Sequence, residues 1–427
     1  MSPVRPRFTS PSRGVRAMAG RLGWGLGDQA VSSLTNFAVS MFVARELGVT
    51  AFGVFSLAWV TYAVLINLSR GLATDPLMVR FSGVDTGRWR RGAAQASGTA
   101  LAVGAVAGVL SVGAGLVIGS SLGWAFVALG VVLPGLLVQD SWRFAFFASG
   151  EGRKAFVNDV VWGVCLVPAM LVAAQHESVV AFLLAWGFSG AVAALYGCVQ
   201  TGVYPRLSRA RAWLREQRDL GFRYVIENVS NSGGSQLRMY GLGAIAGLAD
   251  VGVVRGAELL MGPFLAVLFG LSAVTVAEAA RVLQRSPQRL WPFCLTLGAG
   301  QAIVALAWGV ALMILLPDAV GEYLLGDVWT VAAPLILPAT LGVVGASFFT
   351  GAAAGLRALG MARRSLRAQL VFSAAYVIGG LAGAAAGGAL GSEWGTAIAS
   401  LLGSAVWWFQ LHRGLRDHLS TEVRTSP

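Results

Sequence analysis

Charge is scarce in this 427-residue chain: Asp, Glu, Lys and Arg make up 12% of it, against 56% hydrophobic residues, and mean hydropathy is +0.68. Soluble domains carry about twice that charge, so a water-soluble globule is excluded. Cysteine and histidine are equally rare, three of each. Cys165, Cys198 and Cys294 lie far apart in apolar segments and His176, His412 and His418 lie outside them. That pattern gives neither a disulfide framework nor a metal site, and no cofactor is expected.

What the chain has is one apolar run after another. Twelve stretches between residues 24 and 412 are each long enough to cross about 30 Å of hydrocarbon as a helix. The expected fold is therefore all-α and polytopic, with about twelve transmembrane helices. The stretch "MSPVRPRFTSPSRGVRAMAGR", residues 1–21, is too polar to pack and reads as a disordered tail before an uncleaved first helix.

The net charge of +12 and pI near 10.7 suggest a polyanion partner until the positions are examined. Of the 32 Lys and Arg residues, all but Arg45, Arg70, Arg143, Arg238 and Arg255 fall in alternate connections or the two tails. The opposite connections carry acids: Glu46, Glu177, Asp250, Asp318, Glu322, Asp327 and Glu393. The positive-inside rule accounts for this asymmetry, places both termini in the cytoplasm of a cell-membrane protein, and removes the case for nucleic acid.

The longest cytoplasmic connection, "YPRLSRARAWLREQRDLGFR" at 204–223, falls midway. Shifting the second half by 199 residues aligns Asp28-Gln29 with Glu227-Asn228, Gly53-Val54 with Gly252-Val253, and Gly71-Leu72 with Gly270-Leu271. The expected organisation is a tail at 1–21, a six-helix bundle at 22–203, a basic linker at 204–221, a second six-helix bundle at 222–412 and a tail at 413–427. An even number of spans per half makes this a parallel pseudo-repeat, as in transporters with a cleft between their halves. Glycines four apart, Gly104 and Gly108, Gly351 and Gly355, and Gly379, Gly383 and Gly387, are read as close helix packing. "GWGLG" at 23–27 follows no strand and is not a phosphate loop.

Polar residues within spans are the functional candidates, because each costs a few kcal/mol there. At helical spacing Asp28, Ser32 and Asn36 share one face, as do Glu227, Asn231, Ser235 and Arg238. Arginine stays charged in a poor dielectric and binds phosphate through two donors. Arg238, Arg143, Arg70 and Arg255 are accordingly candidates for an anionic substrate, with Asn36, Asn231, Ser235 and Gln236 for hydroxyl groups. Asp28, Glu227 and Asp140 are candidates for ion coupling. The plainer alternative for Asp140 and Arg143 is an intrahelical pair one turn apart, and for the stripes it is bonding between neighbouring helices.

The stretch "ARELGVTAFGVFSLAWVTYAVLINLSRGLATDPLMVRFS" at 44–82 resembles polysaccharide flippases of the multidrug/oligosaccharidyl-lipid/polysaccharide exporter (MOP) superfamily, on Leu47, Gly48, Phe52 and Gly53. "LLGDVWTVAAPLILPATL" and "GLRALGMARRS" are similar to that family's tenth-helix region and the cytoplasmic loop that follows it. The resemblance implies a MATE-like fold and a non-enzymatic carrier that flips a polyprenyl-diphosphate-linked oligosaccharide by alternating access. Its implied partners are that lipid, membrane lipids, and glycosyltransferases and polymerases of the same pathway. A multidrug and toxin extrusion (MATE) antiporter using Asp28 or Glu227 is the alternative, and a non-transporting scaffold of polysaccharide assembly a lesser one. A glycosyl polymerase or ligase is disfavoured, because the longest outer connection offers only Asp318, Glu322 and Asp327.

Overall fold

The computed structural model describes the backbone of residues 11–425. Among these residues every regular element is helical. The first unbroken stretch is α1 (Pro11–Ser69), which runs through a π-helical turn (Arg70–Thr74) into α2 (Asp75–Phe81). Then come α3 (Thr86–Ile118), α4 (Ser121–Ala148), α5 (Gly152–Ala174) and α6 (Val179–Thr201). A short α7 (Ala210–Glu216) leads to α8 (Arg218–Ile245), α9 (Leu248–Arg285) and α10 (Leu290–Leu315). Two short helices, α11 (Asp318–Leu325) and α12 (Val328–Ala332), precede α13 (Ile336–Ala358) and α14 (Ala362–Thr425).

Two of these helices are double. Gly48, at φ 71° and ψ 176°, breaks α1, a conformation open to glycine because it has no Cβ. Gly387 and Gly388 break α14 in the same way, Gly388 at φ 58°. With α1 and α14 each counted as two segments, twelve long helical segments stand among the described residues, as the hydropathy predicts. Eight helices, these two doubles included, are long and apolar enough to cross a membrane, so the protein is a multi-pass membrane protein. Residues 11–21, expected to be a disordered tail, are helical and continue α1; residues 1–10 lie outside the described residues.

Among the described residues, packing groups the chain up to residue 39 and 61–231 into one compact unit, and 40–60 with the chain from 232 onward into another. Both units therefore take in chain from both sequence halves, and the glycines show why. In the second unit a Cβ on Gly53 would strike the Leu248 carbonyl, and one on Gly252 would lie 3.0 Å from the Gly53 amide nitrogen. Gly53 and Gly252 are one of the two glycine pairs that the internal repeat aligns. In the first unit Gly71 presses on Val225, and the Trp213 indole donates to the Leu72 carbonyl at 3.1 Å.

Within the first unit α3 and α4 pack backbone to backbone, Gly104 against Pro134 and Gly108 against the Gly130 carbonyl. Trp142, Phe146 and Trp213 fill the core beside them. In the second unit Gly351 lies against Cys294 and Gly298, and the two segments of α14 meet at Gly379 with Gly395 and Gly383 with Gly391. The glycine reading holds at these positions and needs correction at Gly387, which belongs to the break in α14 and has no neighbour for a Cβ to meet.

That break also corrects the position of Glu393, expected in an outer connection. The Asp250 carboxylate accepts the Ala389 amide directly after Gly388. The helix therefore restarts at once, and Glu393 falls inside it, 4% exposed.

Candidate functional site

The intramembrane charges collect into two clusters, one in each unit. In the first unit α4 supplies Gln139, Asp140 and Arg143 from one face. The π-helical turn supplies Arg70, α1 supplies Asp28 and Gln29, and α5 supplies Asn158 and Asp159.

Arg70 donates to both oxygens of Asp140, Nε at 3.0 Å and Nη2 at 2.7 Å. Arg143 donates through Nε to Asp28 at 2.6 Å and through Nη2 to Gln29 at 3.2 Å, and Asp159 lies 3.8 Å from its Nε. Gln139 donates to Asp159 at 2.9 Å and to Asn158 at 3.3 Å. The intrahelical Asp140 to Arg143 pair is therefore replaced by two interhelical pairs. Arg70 approaches with two donors aligned on one carboxylate, a geometry that a neighbour on the same helix does not offer.

Three carboxylates face two guanidiniums in this cluster, leaving one acid in excess. Asp28 is wholly buried, and its Oδ1 has no hydrogen-bond partner among the described residues. The Arg70 side chain keeps 30% of its surface exposed, whereas that of Asp140 keeps 5%.

In the second unit Arg238 of α8 lies 1% exposed between two acids. Its Nη1 donates to Glu393 at 2.7 Å and its Nη2 to Glu258, which Arg255 also reaches at 3.0 Å. Tyr376 presents its ring 5.3 Å from the guanidinium carbon, and the Arg238 Nε has no partner among the described residues. Gly380 makes room for the arginine stem, since a Cβ there would lie 2.7 Å from Arg238 Cδ. Two guanidiniums and two carboxylates leave this cluster neutral. In this conformation both terminal nitrogens of the Arg238 guanidinium are engaged by carboxylates.

The remaining candidates do not join either cluster. Glu227 is exposed and shows no ion pair with a described residue. Its neighbour Asn228 donates to Asp75 at 2.9 Å and to the Asn67 carbonyl at 3.3 Å. Ser235 is exposed and donates to the Ser232 carbonyl, while Asn36 and Gln236 are half-buried. The side chain of Asn231 lies outside the described residues.

Sequence reasoning missed Asp159, Asn158, Glu258, Tyr376 and the burial of Glu393. One of these carries a signal: Arg255 and Glu258 stand three apart in an apolar run, the spacing of an intrahelical ion pair.

No protein-family model matches the sequence, and no curated protein matches it in sequence. Solved structures do match the fold. An inward-facing multidrug resistance MATE family transporter of the MOP superfamily aligns over 92% of this chain and 96% of its own, with a TM-score of 0.72 and 16% identity. The lipid II flippase MurJ in an inward closed conformation aligns over 92% and 87%, with a TM-score of 0.68 and 11% identity. A MOP superfamily transporter from Pyrococcus furiosus, described as having a binding pocket of reversed polarity, covers 94% and 95% at a TM-score of 0.53 and 14% identity. These relatives are transporters, and at such identities what they share with this chain is the fold: an all-helical, MATE-like membrane architecture.

Proposed function

We propose that this chain is a membrane transporter that turns a polyprenyl-diphosphate-linked oligosaccharide from the inner to the outer leaflet by alternating access, without hydrolysing nucleotide, for export of a cell-surface polysaccharide. The observation that carries this reading is the two-donor pair of Arg70 with Asp140. A guanidinium fork that fits a carboxylate also fits two oxygens of a phosphate group. Arg70 is the more exposed partner, so an incoming diphosphate meets the guanidinium first, and Asp140 holds its place until then. Arg143, one turn further along α4, supplies a second cation, and Arg255 is the more accessible arginine of the other cluster. Asn36, Asn231, Ser235 and Gln236 are assigned to sugar hydroxyls, and both termini to the cytoplasm. Glycosyltransferases and polymerases of the same pathway are the expected partners.

The test is a proteoliposome assay in which a fluorescent polyprenyl-diphosphate oligosaccharide becomes accessible to an external lectin. Wild type should accelerate its appearance, and Arg70→Ala should remove the acceleration when assayed well below its own, lowered, unfolding temperature. An Arg70→Ala protein that flips at the wild-type rate overturns the assignment.

A second reading, a MATE-type antiporter of organic cations, is favoured by one observation: the acid excess in the first cluster, with Asp28 Oδ1 unpartnered. Gradient-driven uptake of an organic cation by the same vesicles, with no lectin-accessible product, would establish it in place of the flippase.

A further inference from the structure

The most cationic segment of the chain takes no part in either buried cluster. Between Tyr204 and Arg223 it carries Arg206, Arg209, Arg211, Arg215, Arg218 and Arg223, all exposed and none in an ion pair with a described residue. The apolar side chains of the same segment divide sharply. Trp213 is wholly buried, with its indole nitrogen on the Leu72 carbonyl, whereas Tyr204, Leu207 and Phe222 are 72%, 53% and 67% exposed. Exposed aromatic and aliphatic groups alternating with arginines are the composition of a segment lying in a membrane interface.

The structure gives this segment a built slot. Leu72, Leu214, Gln217, Arg218, Gly221 and Phe222 enclose a cavity of about 200 Å³ in the first unit. Its walls are apolar except for Gln217, whose amide oxygen accepts from Arg80 at 2.7 Å, and the exposed Arg218. It lies where α7 passes into α8, whose first turn also holds Asp219, neutralised by an ion pair with Arg80 at 2.6 Å. Leu72 is two residues from Arg70, on the same π-helical turn.

We propose that this slot binds one anionic phospholipid of the inner leaflet, its phosphate on Arg218 and the start of an acyl chain against Leu72, Leu214 and Phe222. Charge complementarity selects the occupant. An apolar slot alone would take any lipid, but its one charged wall is a cation, and the surrounding segment carries five more arginines against two acids, Glu216 and Asp219, the second already paired with Arg80. The lipid thereby packs on the turn that holds Arg70. The proposal is independent of the substrate assigned above, and its test measures no transport.

The experiment is native mass spectrometry of the full chain in detergent, titrated separately with phosphatidylglycerol and phosphatidylcholine. One phosphatidylglycerol should be retained per chain, at least fivefold tighter than phosphatidylcholine, the selectivity that one arginine near a lipid surface confers. Arg218→Gln should weaken phosphatidylglycerol about fivefold, while Arg206→Gln, in the same basic segment but outside the slot, should leave it unchanged. Phe222→Ala, at an exposed position, should weaken it with every charge retained. Equal binding of the two lipids, equal losses in the Arg206 and Arg218 variants, or full binding by Phe222→Ala would each overturn the built site in favour of diffuse attraction. Displacement of the lipid by millimolar inorganic phosphate would overturn the lipid as occupant.

Discussion

Asp140 stands one helical turn from Arg143, yet its carboxylate receives both of its hydrogen bonds from Arg70, seventy positions earlier in the chain. The pair ties the π-helical turn to α4 inside the first unit. Removing Asp140 leaves the Arg70 guanidinium without its partner, which costs about 1–2 kcal/mol, less than for a fully buried pair because Arg70 keeps 30% of its surface in solvent. Asp140→Ala should therefore lower stability by about that amount, and Asp140→Asn, which keeps an acceptor for Arg70, by less than half of it. Thermal unfolding in detergent checks the order of the two variants. Equal losses would show that charge, and not hydrogen bonding, sets the strength of the pair.

Asp28 presents a different case, because only one of its oxygens is engaged. Asp28→Asn retains an oxygen for Arg143 and removes the excess negative charge of the cluster. If that charge binds the coupling ion, the variant should fold normally and lose the dependence of transport on an imposed ion gradient. The measurement is substrate movement with and without the gradient. A variant that still responds to the gradient moves the coupling role elsewhere.

In the second unit the two acids on Arg238 differ in burial: the Glu393 side chain is 6% exposed and that of Glu258 28%. Loss of the more buried partner strands the guanidinium more completely. Glu393→Ala should cost about 3 kcal/mol and Glu258→Ala about 1 kcal/mol, since part of the second charge is screened by solvent. Replacing Arg238 and Glu393 together, by Met and Leu, should recover most of the loss. Denaturation of the single and double variants supplies the coupling energy.

The helices and the charged residues were legible in the sequence, and their partners were not. A bilayer imposes a length and an apolarity on each span, so the twelve segments announce themselves. The turn at Gly48 was marked by the Leu47-Gly48 and Phe52-Gly53 pairs that carry the family resemblance. Arg70, Arg143 and Arg238 stood out because ions are costly in hydrocarbon. Pairing is a tertiary property, however: Asp140 had a partner at helical spacing and took another that fitted both its oxygens. Glu393 was misplaced because the position of the break in α14 depends on the backbone of Gly387 and Gly388 and on the Asp250 carboxylate, none of which hydropathy registers. The division of α1 and α8 between the two units was equally invisible, since it rests on glycine contacts made far along the chain.

Those glycine contacts give the last expectation. Gly53 and Gly252 occupy equivalent positions in the internal repeat, and their backbones touch, so each needs the absence of a side chain on the other's account. A Cβ at Gly252 meets the Val49 carbonyl, and one at Gly53 meets the Leu248 carbonyl; both obstacles are backbone and neither can swing away. Gly252→Ala and Gly53→Ala should each lower stability by about 1–3 kcal/mol, the usual cost of overpacking a tight contact. Because either methyl group already forces the same two segments apart, the double variant should lose less than the sum. Gly113→Ala, on α3 where a Cβ meets nothing, is the control and should change stability by less than about 0.5 kcal/mol. Additive losses at Gly53 and Gly252 would mean that the two glycines do not share one contact.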